Sequence, residues 1–500
     1  MAAMKNLRLN WSTNLFSAAM LMLIGFAVNA AAQTPVPASG PDPKEIPIPP
    51  IKTSLGTMPG VKDLPVRPEL PDVMTMNDGT KVKTPAQWQK RREEIKNILE
   101  YYAVGQMPPP PGNVKGEEMH SELVLNGKVK YRLVKLTFGP ERKLELYIGI
   151  FTPTEGKGPF PAIISQSSEP PGGPTLPRSP QGPNQGRGED VLMMVGGGKT
   201  VDPAAAAAAV PGRGRGPITA ESIAKTRSDV LSRGYALVIY NDNDVAEDTT
   251  LREADGSWTF RHTRFYPAYP GYDWGILAGW AWGASRIADF LVTDPTIDGK
   301  KLIITGASRA GKSAMIAAAF DDRLMGAPVV TGGGGIGAYR LAGDDHSETL
   351  DIMQKKYPNW SSPHLHEFWG QREKLPFDEH WFLALCAARP FIALEGNADT
   401  ISLPTAVKAS FDEGWKVYAF LGNKDNLGIH YSHHAHAFTD EDWTAMMDFM
   451  DWRLRGMKSD KTFNTFITME ERTAAEAAAA ANAPRRPAAA APAGDPGPPQ

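Results

Sequence analysis

The sequence contains one cysteine in 500 residues, Cys386. A single cysteine cannot form an intrachain disulfide, so the fold must be stabilised by its packed core. The chain also lacks a basic surplus: 53 Lys and Arg against 56 Asp and Glu give a formal net charge of -3, and the sequence pI is near 6.4. The basic residues are scattered along the chain rather than clustered. This balance argues against nucleic acid as a partner.

The apolar stretch near the N-terminus is short for a membrane span. Lys5 and Arg8 precede apolar residues 15–28, and three alanines follow at positions 30–32. A positive region, a hydrophobic region and a small-residue cleavage site, in that order, are typical of a secretory signal peptide. A bilayer-spanning helix needs about 20 apolar residues. We therefore predict a signal peptide over residues 1–32 and a secreted or periplasmic protein without a stable membrane span, with an uncleaved anchor as the alternative.

Length and composition suffice for one large domain. With 42% hydrophobic residues, the chain can bury the core of a single α/β domain, which we place at residues 71–460. Residues 33–70 are rich in proline and predict an extended leader. Residues 168–218 are dense in Pro, Gly, Arg and Ala and predict an irregular insertion. The Ala/Pro-rich residues 473–500 predict a disordered tail.

Strand and helix patterns alternate along the predicted domain. Thr84 and Pro85, followed by Gln87 and apolar residues at helical spacing, predict a capped helix that ends before Pro108. Alternation predicts a hairpin from residues 129–138 and 144–151, and apolar runs predict buried strands at 162–165, 236–240, 302–305, 391–395 and 417–421. Helices are predicted at 274–291 and 313–320. This order is typical of an α/β fold with a mostly parallel sheet and helices on both faces.

One segment between a predicted strand and a predicted helix fits two catalytic patterns. It reads Gly306-Ala307-Ser308-Arg309-Ala310-Gly311-Lys312-Ser313. As G-x-x-x-x-G-K-[ST] it would be a phosphate-binding loop, with Lys312 on the terminal phosphates and Ser313 on magnesium. As a nucleophile elbow it would lift Ser308 to the carboxyl edge of the sheet, where the helix N-terminus stabilises an oxyanion. Ala310 replaces the second glycine of the usual elbow, so the phosphate-loop match is formally better.

The context of the segment favours the elbow. An exported protein meets little nucleotide, the segment lies past the middle of the chain, and no apolar strand ends in a convincing aspartate for magnesium. A hydrolase serine should be followed by an acid after a late strand and then by a histidine. Asp399 follows the predicted strand at 391–395, and a histidine cluster comes later. This order predicts a serine hydrolase built around Ser308.

The histidine cluster also permits a metal site. It consists of His430, His433, His434 and His436, and imidazole is a common metal ligand. No cysteine or spaced set of carboxylates completes such a site, and the hydrolase order already accounts for one histidine. We therefore predict no metal and no other cofactor.

Further motifs flank the elbow. They are WAWGASR at residues 280–286, LPFDEH at 375–380, ARP at 388–390, GIH at 428–430, and HAFT at 436–439 with Asp442 and Trp443 just after it. Together with the elbow they resemble the glucuronoyl esterases of carbohydrate esterase family 15, whose elbow G-x-S-R-x-G-K accommodates Ala310. The resemblance covers residues 85–455 and implies the α/β-hydrolase fold.

The resemblance also implies roles for individual residues. Ser308 is then the nucleophile, and His436, rather than its three neighbours, is the general base. Arg309 stabilises the tetrahedral oxyanion through its side chain as well as its backbone N–H. Lys312 and Glu348 match positions that hold sugar hydroxyls in this family.

The sequence departs from the family pattern at two positions. Many members carry the catalytic acid shortly after the elbow, where this chain has Val330 ahead of a glycine run at residues 332–335. Other members place the acid after the later strand, where Asp399 stands, so Asp399 is our candidate acid. At position 401 the family often has a tryptophan that packs on the sugar, and here the residue is Ile401. This change bears on the identity of the substrate rather than on the chemistry.

The motifs predict a serine carboxylester hydrolase that works through an acyl-enzyme. By resemblance, the substrate is an ester between the 4-O-methyl-glucuronoyl group of xylan and a lignin alcohol, that is, glucuronoxylan or a lignin–carbohydrate ester. The alternatives are an acetylxylan or other carbohydrate esterase, a phosphate-loop nucleotide hydrolase, and a noncatalytic carbohydrate-binding relative. We expect a monomer.

Overall fold

The structure is a computed structural model that describes residues 58–167, 192, 220–343 and 347–481. The predicted signal peptide, the first part of the predicted leader and residues 482–500 lie outside the described residues. Apart from Leu192, so does the predicted insertion at residues 168–218. These parts of the domain organisation stay predictions. No helix among the described residues is long and apolar enough to cross a membrane.

Strands form the centre of the molecule. Their bounds are Lys115–Val124 (β1), Val129–Phe138 (β2), Leu144–Pro153 (β3), Phe160–Ser167 (β4), Ala236–Asn241 (β5), Ile297–Ala307 (β6), Leu324–Val329 (β7), Phe391–Gly396 (β8) and Leu427–Ser432 (β9). Within the described residues they make one nine-stranded sheet in the order β1-β2-β3-β5-β4-β6-β7-β8-β9. The pairs β1·β2, β2·β3 and β3·β5 are antiparallel, and every later pair is parallel.

The two parts of the sheet differ in burial. β5, β7 and β8 are buried at every position, as expected for parallel strands covered on both faces. β1, the antiparallel edge strand, is mostly exposed. Because parallel strands all end at one edge of a sheet, the residues that follow β6, β7, β8 and β9 meet at that carboxyl edge.

Helices connect and cover the strands. Their bounds are Pro85–Ile98 (α1), Ala220–Ser232 (α2), Ile276–Leu291 (α3), Arg309–Phe320 (α4), Leu350–Lys356 (α5), His380–Cys386 (α6), Pro404–Phe420 (α7), Asp440–Arg455 (α8) and Met469–Ala481 (α9). The predicted cap of α1 is confirmed, because Thr84 and Gln87 form a reciprocal capping box. α4 packs against β6 and β7, and α8 packs against β8 and β9.

Most of the predicted elements are confirmed. β2 and β3 form the predicted hairpin, and β4, β5, β6 and β8 are the predicted buried strands. α3 and α4 match the predicted helices, although α4 begins directly after Ser308. β1 was not predicted because its residues are mostly charged or polar and its pairing is with β2 alone.

The prediction of a strand at residues 417–421 is wrong. Residues 417–420 are the last turn of α7, and Leu421 caps it. Buried residues recur along α7 at helical spacing, at Ala406, Val407, Ser410, Phe411, Gly414, Val417 and Tyr418. The strand that pairs with β8 is β9, which begins only at Leu427. A short apolar run has the same composition in a buried helix as in a strand, and only the longer periodicity distinguishes them.

The folded unit begins before the predicted boundary at residue 71. Val61 is buried in the core. The backbone N–H of Arg67 donates to the carbonyl of Glu373 at 2.7 Å. The last residues of the predicted leader are therefore packed against the domain.

The prediction of disorder from Thr473 is wrong as far as Ala481, because this segment belongs to α9. Alanine has the highest helix propensity of all residues, so an alanine-rich sequence favours a helix once one end is anchored. Arg472 supplies an anchor: its side chain is buried, and its Nη1 donates to the carbonyl of Ser402 at 3.1 Å. The folded unit thus also extends beyond the predicted limit at residue 460.

Candidate active site

The turn between β6 and α4 holds Ser308 in a strained backbone conformation. Its φ is +59° and its ψ is -122°, a combination that residues other than glycine rarely adopt. Its N–H donates to the carbonyl of Val329 on β7 at 2.9 Å, and its own carbonyl accepts from the N–H of Lys312 at 2.9 Å. Ser308 thus lies at the carboxyl edge of the sheet and at the N-terminus of α4, as in a nucleophile elbow.

Two glycines explain why the turn tolerates Ala310. A Cβ atom on Gly306 would lie 2.7 Å from the carbonyl oxygen of Ala310, and one on Gly311 would lie 2.8 Å from the carbonyl oxygen of Val329. Both distances are shorter than the contacts that Cβ atoms make in proteins. The close backbone approaches therefore fall at residues 306 and 311, and position 310 has room for a methyl group.

The surroundings of Lys312 and Ser313 argue against a phosphate loop. Such a loop needs its lysine and its hydroxyl group free to meet phosphate and magnesium. Lys312 is 1% exposed, and its Nζ donates to the carbonyl of Thr331 and to Glu348 Oε2, the latter at 2.8 Å. Ser313 is fully buried. Of the two interpretations of this segment, the geometry favours the elbow.

A carboxylate–imidazole pair lies at the same edge of the sheet. Asp399 follows β8 in a turn in which its N–H donates to the carbonyl of Gly396 at 3.1 Å. Its Oδ2 lies 2.9 Å from His436 Nδ1, and its Oδ1 accepts from the N–H of Ile401 at 3.2 Å. Asp399 is 1% exposed, whereas the His436 side chain is 25% exposed. A carboxylate on Nδ1 places the ring proton there and leaves Nε2 as the basic nitrogen.

Backbone contacts between neighbouring loops fix this pair. The N–H of Asn397 donates to the carbonyl of Ser432, and the N–H of Ala398 donates to the carbonyl of His434, at 2.9 and 3.1 Å. A Cβ atom on Gly396 would lie 2.4 Å from the carbonyl oxygen of Ala435. The loops after β8 and β9 are therefore packed together at the backbone level, and this packing brings Asp399 and His436 into contact.

The neighbouring histidines have other partners. His433 Nδ1 lies 3.0 Å from a Glu441 carboxylate oxygen. His434 Nε2 lies 2.9 Å from Asp442 Oδ2; burial lowers its pKa, but the hydrogen bond and charge of Asp442 more than offset this, and the pKa is raised. Burial lowers the pKa of His430. In the part of the chain that the structure describes, no group of three or more His, Cys, Asp or Glu side chains is arranged to hold a metal ion.

Lys312 and Glu348 form a shielded ion pair beside the elbow. The Lys312 side chain is 1% exposed and that of Glu348 is 15% exposed. The N–H of Glu348 donates to the carbonyl of Ile401 at 3.1 Å. A Cβ atom on Gly333 would lie 1.7 Å from the carbonyl oxygen of Glu348. The glycine run after β7 therefore lets the backbone of Glu348 approach, and the structure brings this predicted pair of sugar-binding residues together.

Arg309 is held by residues that the sequence analysis did not identify. Its guanidinium Nη1 donates to Asp248 Oδ2. Asp248 Oδ1 accepts from Trp360 Nε1 at 2.8 Å and from Asn359 Nδ2 at 3.1 Å. Asp248 lies in the loop after β5, at the carboxyl edge of the sheet. The sequence does show an acidic residue shortly after a predicted strand, but no spacing rule links Asp248 to Arg309.

The position of the missing acid is occupied by apolar and hydroxyl groups. Val330 is 1% exposed and has a φ of +44°. The next residue, Thr331, donates to Glu395 Oε1 from its N–H and approaches the same oxygen with its hydroxyl, both at 3.2 Å. Burial and, to a lesser extent, the charge of Asp399 raise the pKa of Glu395 to about 7. Glu395 is thus a second buried carboxyl at this edge, and it was also missed.

Comparisons with known proteins agree with the fold and the elbow. The family model described as "Glucuronyl esterase, fungi" matches residues 195–422. A carbohydrate esterase from an unknown prokaryotic organism is 26% identical over 407 residues, which is 77% of this chain and 90% of the relative. A 4-O-methyl-glucuronoyl methylesterase from Podospora anserina is 26% identical over 376 residues, 73% of this chain and 63% of the relative.

A solved structure extends this likeness over most of the chain. It is a carbohydrate esterase family 15 glucuronoyl esterase from Caldicellulosiruptor kristjansonii, with 29% sequence identity and a TM-score of 0.59. The match covers 79% of this chain and 93% of that one. The parallel sheet, the elbow and these likenesses agree. The chain is therefore similar to the glucuronoyl esterases of carbohydrate esterase family 15, and it is an esterase with the α/β-hydrolase fold.

Proposed function

We propose that this esterase cleaves 4-O-methyl-glucuronoyl esters that join xylan to lignin alcohols, with Ser308 as the nucleophile. The observation that carries the proposal is the Asp399–His436 pair, 2.9 Å apart, at the sheet edge on which Ser308 sits in an elbow. A serine hydroxyl is a weak nucleophile unless an adjacent base takes its proton. The imidazole of His436, oriented through Nδ1, has the free Nε2 that this task needs.

The first half of the reaction forms an acyl-enzyme. His436 Nε2 takes the hydroxyl proton of Ser308 as Oγ attacks the ester carbonyl carbon, and negative charge develops on the carbonyl oxygen. Arg309 and the backbone N–H groups at the N-terminus of α4 stabilise that charge. The tetrahedral intermediate collapses, the protonated imidazole gives its proton to the lignin alcohol, and the glucuronoyl group stays on Ser308.

The second half releases the acid. His436 takes a proton from water, which attacks the acyl carbon through a second tetrahedral state stabilised by the same donors. The proton then returns to Oγ as the uronic acid leaves. Asp399 keeps its negative charge throughout and stabilises the imidazolium each time it forms. No step requires a cofactor.

The substrate proposal rests on the carboxylate beside the elbow and on the relatives. Glu348 presents a partly exposed carboxylate beside the elbow, held in place by the buried Lys312, and a carboxylate accepts hydrogen bonds from sugar hydroxyls. The Podospora anserina relative is described as a 4-O-methyl-glucuronoyl methylesterase. Ile401, in place of a stacking tryptophan, favours an acetylxylan or other carbohydrate esterase as the second candidate.

The cellular context is part of the same proposal. Residues 1–32 have the order of a signal peptide, and we propose that the mature enzyme is secreted or periplasmic and acts as a monomer on glucuronoxylan. N-terminal sequencing of the protein recovered from the medium or periplasm, with cleavage near residue 32, tests export. Size-exclusion chromatography with light scattering tests the monomer.

The decisive experiment measures hydrolysis of benzyl glucuronate and of a simple acetyl ester by the purified protein. We expect hydrolysis of the glucuronate and its loss in Ser308→Ala. The rate of glucuronate hydrolysis should fall by about 10³-fold or more in His436→Ala. The exposed neighbour, His433→Ala, is the matched control and should stay within about twofold.

Three results would count against the proposal. Hydrolysis of neither ester would refute the esterase chemistry, and activity on the acetyl ester alone would favour the second candidate. Retained activity in Ser308→Ala would place the nucleophile elsewhere.

A further inference from the structure

The loop after β5 contributes a carboxylate to the elbow that the proposed chemistry does not yet use. Asp248 lies in this loop, far in sequence from Arg309, and its Oδ2 accepts a hydrogen bond from the guanidinium Nη1. Its side chain is 9% exposed, whereas that of Arg309 is 44% exposed. The contact therefore joins a fixed, nearly buried anion to a cation that reaches out toward solvent.

Asp248 is itself held from three sides. Its N–H donates to Asn243 Oδ1 at 2.7 Å. Its Oδ1 accepts from Trp360 Nε1 at 2.8 Å and from Asn359 Nδ2 at 3.1 Å. Both oxygens of the carboxylate thus have partners, Arg309 on Oδ2 and the consecutive residues Asn359 and Trp360 on Oδ1. A carboxylate held in this way has a fixed position and orientation.

The partner tryptophan is also immobilised. Its ring stacks on Tyr357 with centroids 3.9 Å apart and an interplanar angle of 5°. The same ring has Arg309 Cζ at 5.7 Å and Lys312 Nζ at 6.0 Å from its centroid, within the range of cation–π attraction. The Arg309 side chain therefore packs against two residues, Asp248 and Trp360, that are themselves held in place.

We infer that Asp248 is a positioning residue that fixes the guanidinium of Arg309 where the oxyanion forms. The inference rests on the proposed function, in which Arg309 stabilises that charge. An exposed arginine has many rotamers, and a donor aids catalysis most when it is already oriented before charge develops. Asp248 takes one of the guanidinium's five N–H donors and leaves the others for the substrate oxygen.

Asp248→Asn isolates this contact. The amide oxygen still accepts from Trp360 and Asn359, but the amide nitrogen cannot accept from Arg309. We expect kcat and kcat/KM to fall together by about 10- to 100-fold with KM little changed, because an interaction specific to the transition state is weakened. In an Arg309→Gln background, Asp248→Asn should change kcat by less than about threefold, since the group through which it acts is gone.

The neighbouring residue Glu247 supplies the matched control. It lies one position away in the same loop, is 3% exposed, and its Oε1 is 2.9 Å from Arg264 Nη2. Glu247→Gln should lower the melting temperature at least as much as Asp248→Asn while leaving kcat per folded molecule within about twofold. An equal loss of kcat in Glu247→Gln would assign the effect to the loop in general and overturn the inference.

Crystal structures of the wild type and of Asp248→Asn give a readout independent of activity. We expect an ordered Arg309 side chain on Asp248 in the wild type and a displaced or disordered one in the variant. Arg309 unmoved in the variant, or an unreduced effect of Asp248→Asn in the Arg309→Gln background, would refute the positioning role. A wild type that hydrolyses neither ester would refute the proposed function, and the two crystal structures would still decide whether Asp248 positions Arg309.

Discussion

The loops that follow β7 and β8 lie side by side at the carboxyl edge of the sheet, where the N–H of Val330, directly after β7, donates to the carbonyl of Leu394 in β8 at 2.7 Å. The loop after β8, residues 397–402, holds a carboxylate against His436. The loop after β7, residues 330–337, begins with a valine and a threonine and continues in glycines. Of these two neighbouring loops, only the one after β8 carries an acid.

The loop without an acid has a different structural task. The carbonyl of Thr331 accepts from Lys312 Nζ, and the space at Gly333 is filled by the backbone of Glu348. The loop after β7 therefore organises the ion pair beside the elbow, while the loop after β8 orients His436, the proposed base. Adjacent parallel strands thus offer two places for the proposed catalytic acid, and this chain has a carboxylate at only the second of them among the described residues. Four substitutions test this division.

The largest effect is expected from Asp399→Asn. The amide would favour the imidazole tautomer with its proton on Nε2, so His436 could not accept the serine proton. We expect kcat on benzyl glucuronate to fall about 10³- to 10⁴-fold. Asp412→Asn, in an exposed ion pair of α7, should leave kcat unchanged. A loss below about tenfold would mean that the acid does not lie in the loop after β8.

Glu395→Gln tests the carboxyl between the two loops. Burial raises its pKa from 4.5 to about 7, so its contribution to stability is complete below the unfolded-state pKa and is lost as the pH rises through about 7. For the wild type this group should lower the free energy of unfolding by roughly 3 kcal/mol between about pH 4.5 and about pH 8. Glutamine cannot ionise, so the variant should lack this decline.

Urea unfolding over a pH series measures the difference between the two proteins. Burial also raises the pKa of Glu100 to about 7, but Glu100 is present in both proteins and cancels in the comparison. Identical pH dependence of the free energy of unfolding in the two proteins would show that folding does not raise the pKa of Glu395.

Gly333→Ala tests the loop after β7. Its Cβ would lie 1.7 Å from the carbonyl oxygen of Glu348, so the backbone must move and the contact with Lys312 must change. We expect kcat/KM to fall about 10- to 100-fold. Gly337→Ala, in the same loop, is the matched control, because its Cβ would lie 3.4 Å or more from its neighbours. Equal kinetics for the two variants would show that the loop after β7 does not contribute to substrate turnover.

The smallest effect is expected from Thr331→Val. The change removes the hydroxyl that approaches Glu395 at 3.2 Å and accepts from the N–H of Ile336 at 3.1 Å. The loss should lower the free energy of unfolding by about 1–2 kcal/mol and leave kcat nearly unchanged, because the carbonyl that holds Lys312 remains. Thr462→Val, at an exposed hydroxyl pair, should have no measurable effect. A large kcat loss in Thr331→Val would contradict the division between the loops.

Strands β4, β5, β6 and β8 were predictable because their apolar runs are bounded by clear turn signals. The segment at 417–421 was not, since a short apolar run in a buried helix has no period of its own. The edge strand β1 was not predicted because its charged residues show no alternation of apolar and polar side chains. Local patterns therefore identified β4, β5, β6 and β8, but they missed β7, although it is buried at every position, and they missed β9.

The candidate site divides in the same way. Ser308, Asp399 and a histidine cluster could be proposed because chain order and strand–turn–helix patterns mark them, and the family resemblance selected His436 from that cluster. Asp248 and Glu395 could not, because their partners lie in other loops and only the folded sheet edge brings them together. The catalytic roles of all these residues stay predictions until the kinetics are measured.

The single thiol of the chain, at the end of α6, reports on the whole fold. Cys386 is 1% exposed, and burial raises its pKa to about 12. At neutral pH it is therefore protonated and shielded, and a thiol-specific reagent reaches it only when the surrounding core opens. The rate at which the reagent labels the native protein thus measures how often the core around Cys386 opens. No engineered probe is needed, and no second cysteine interferes.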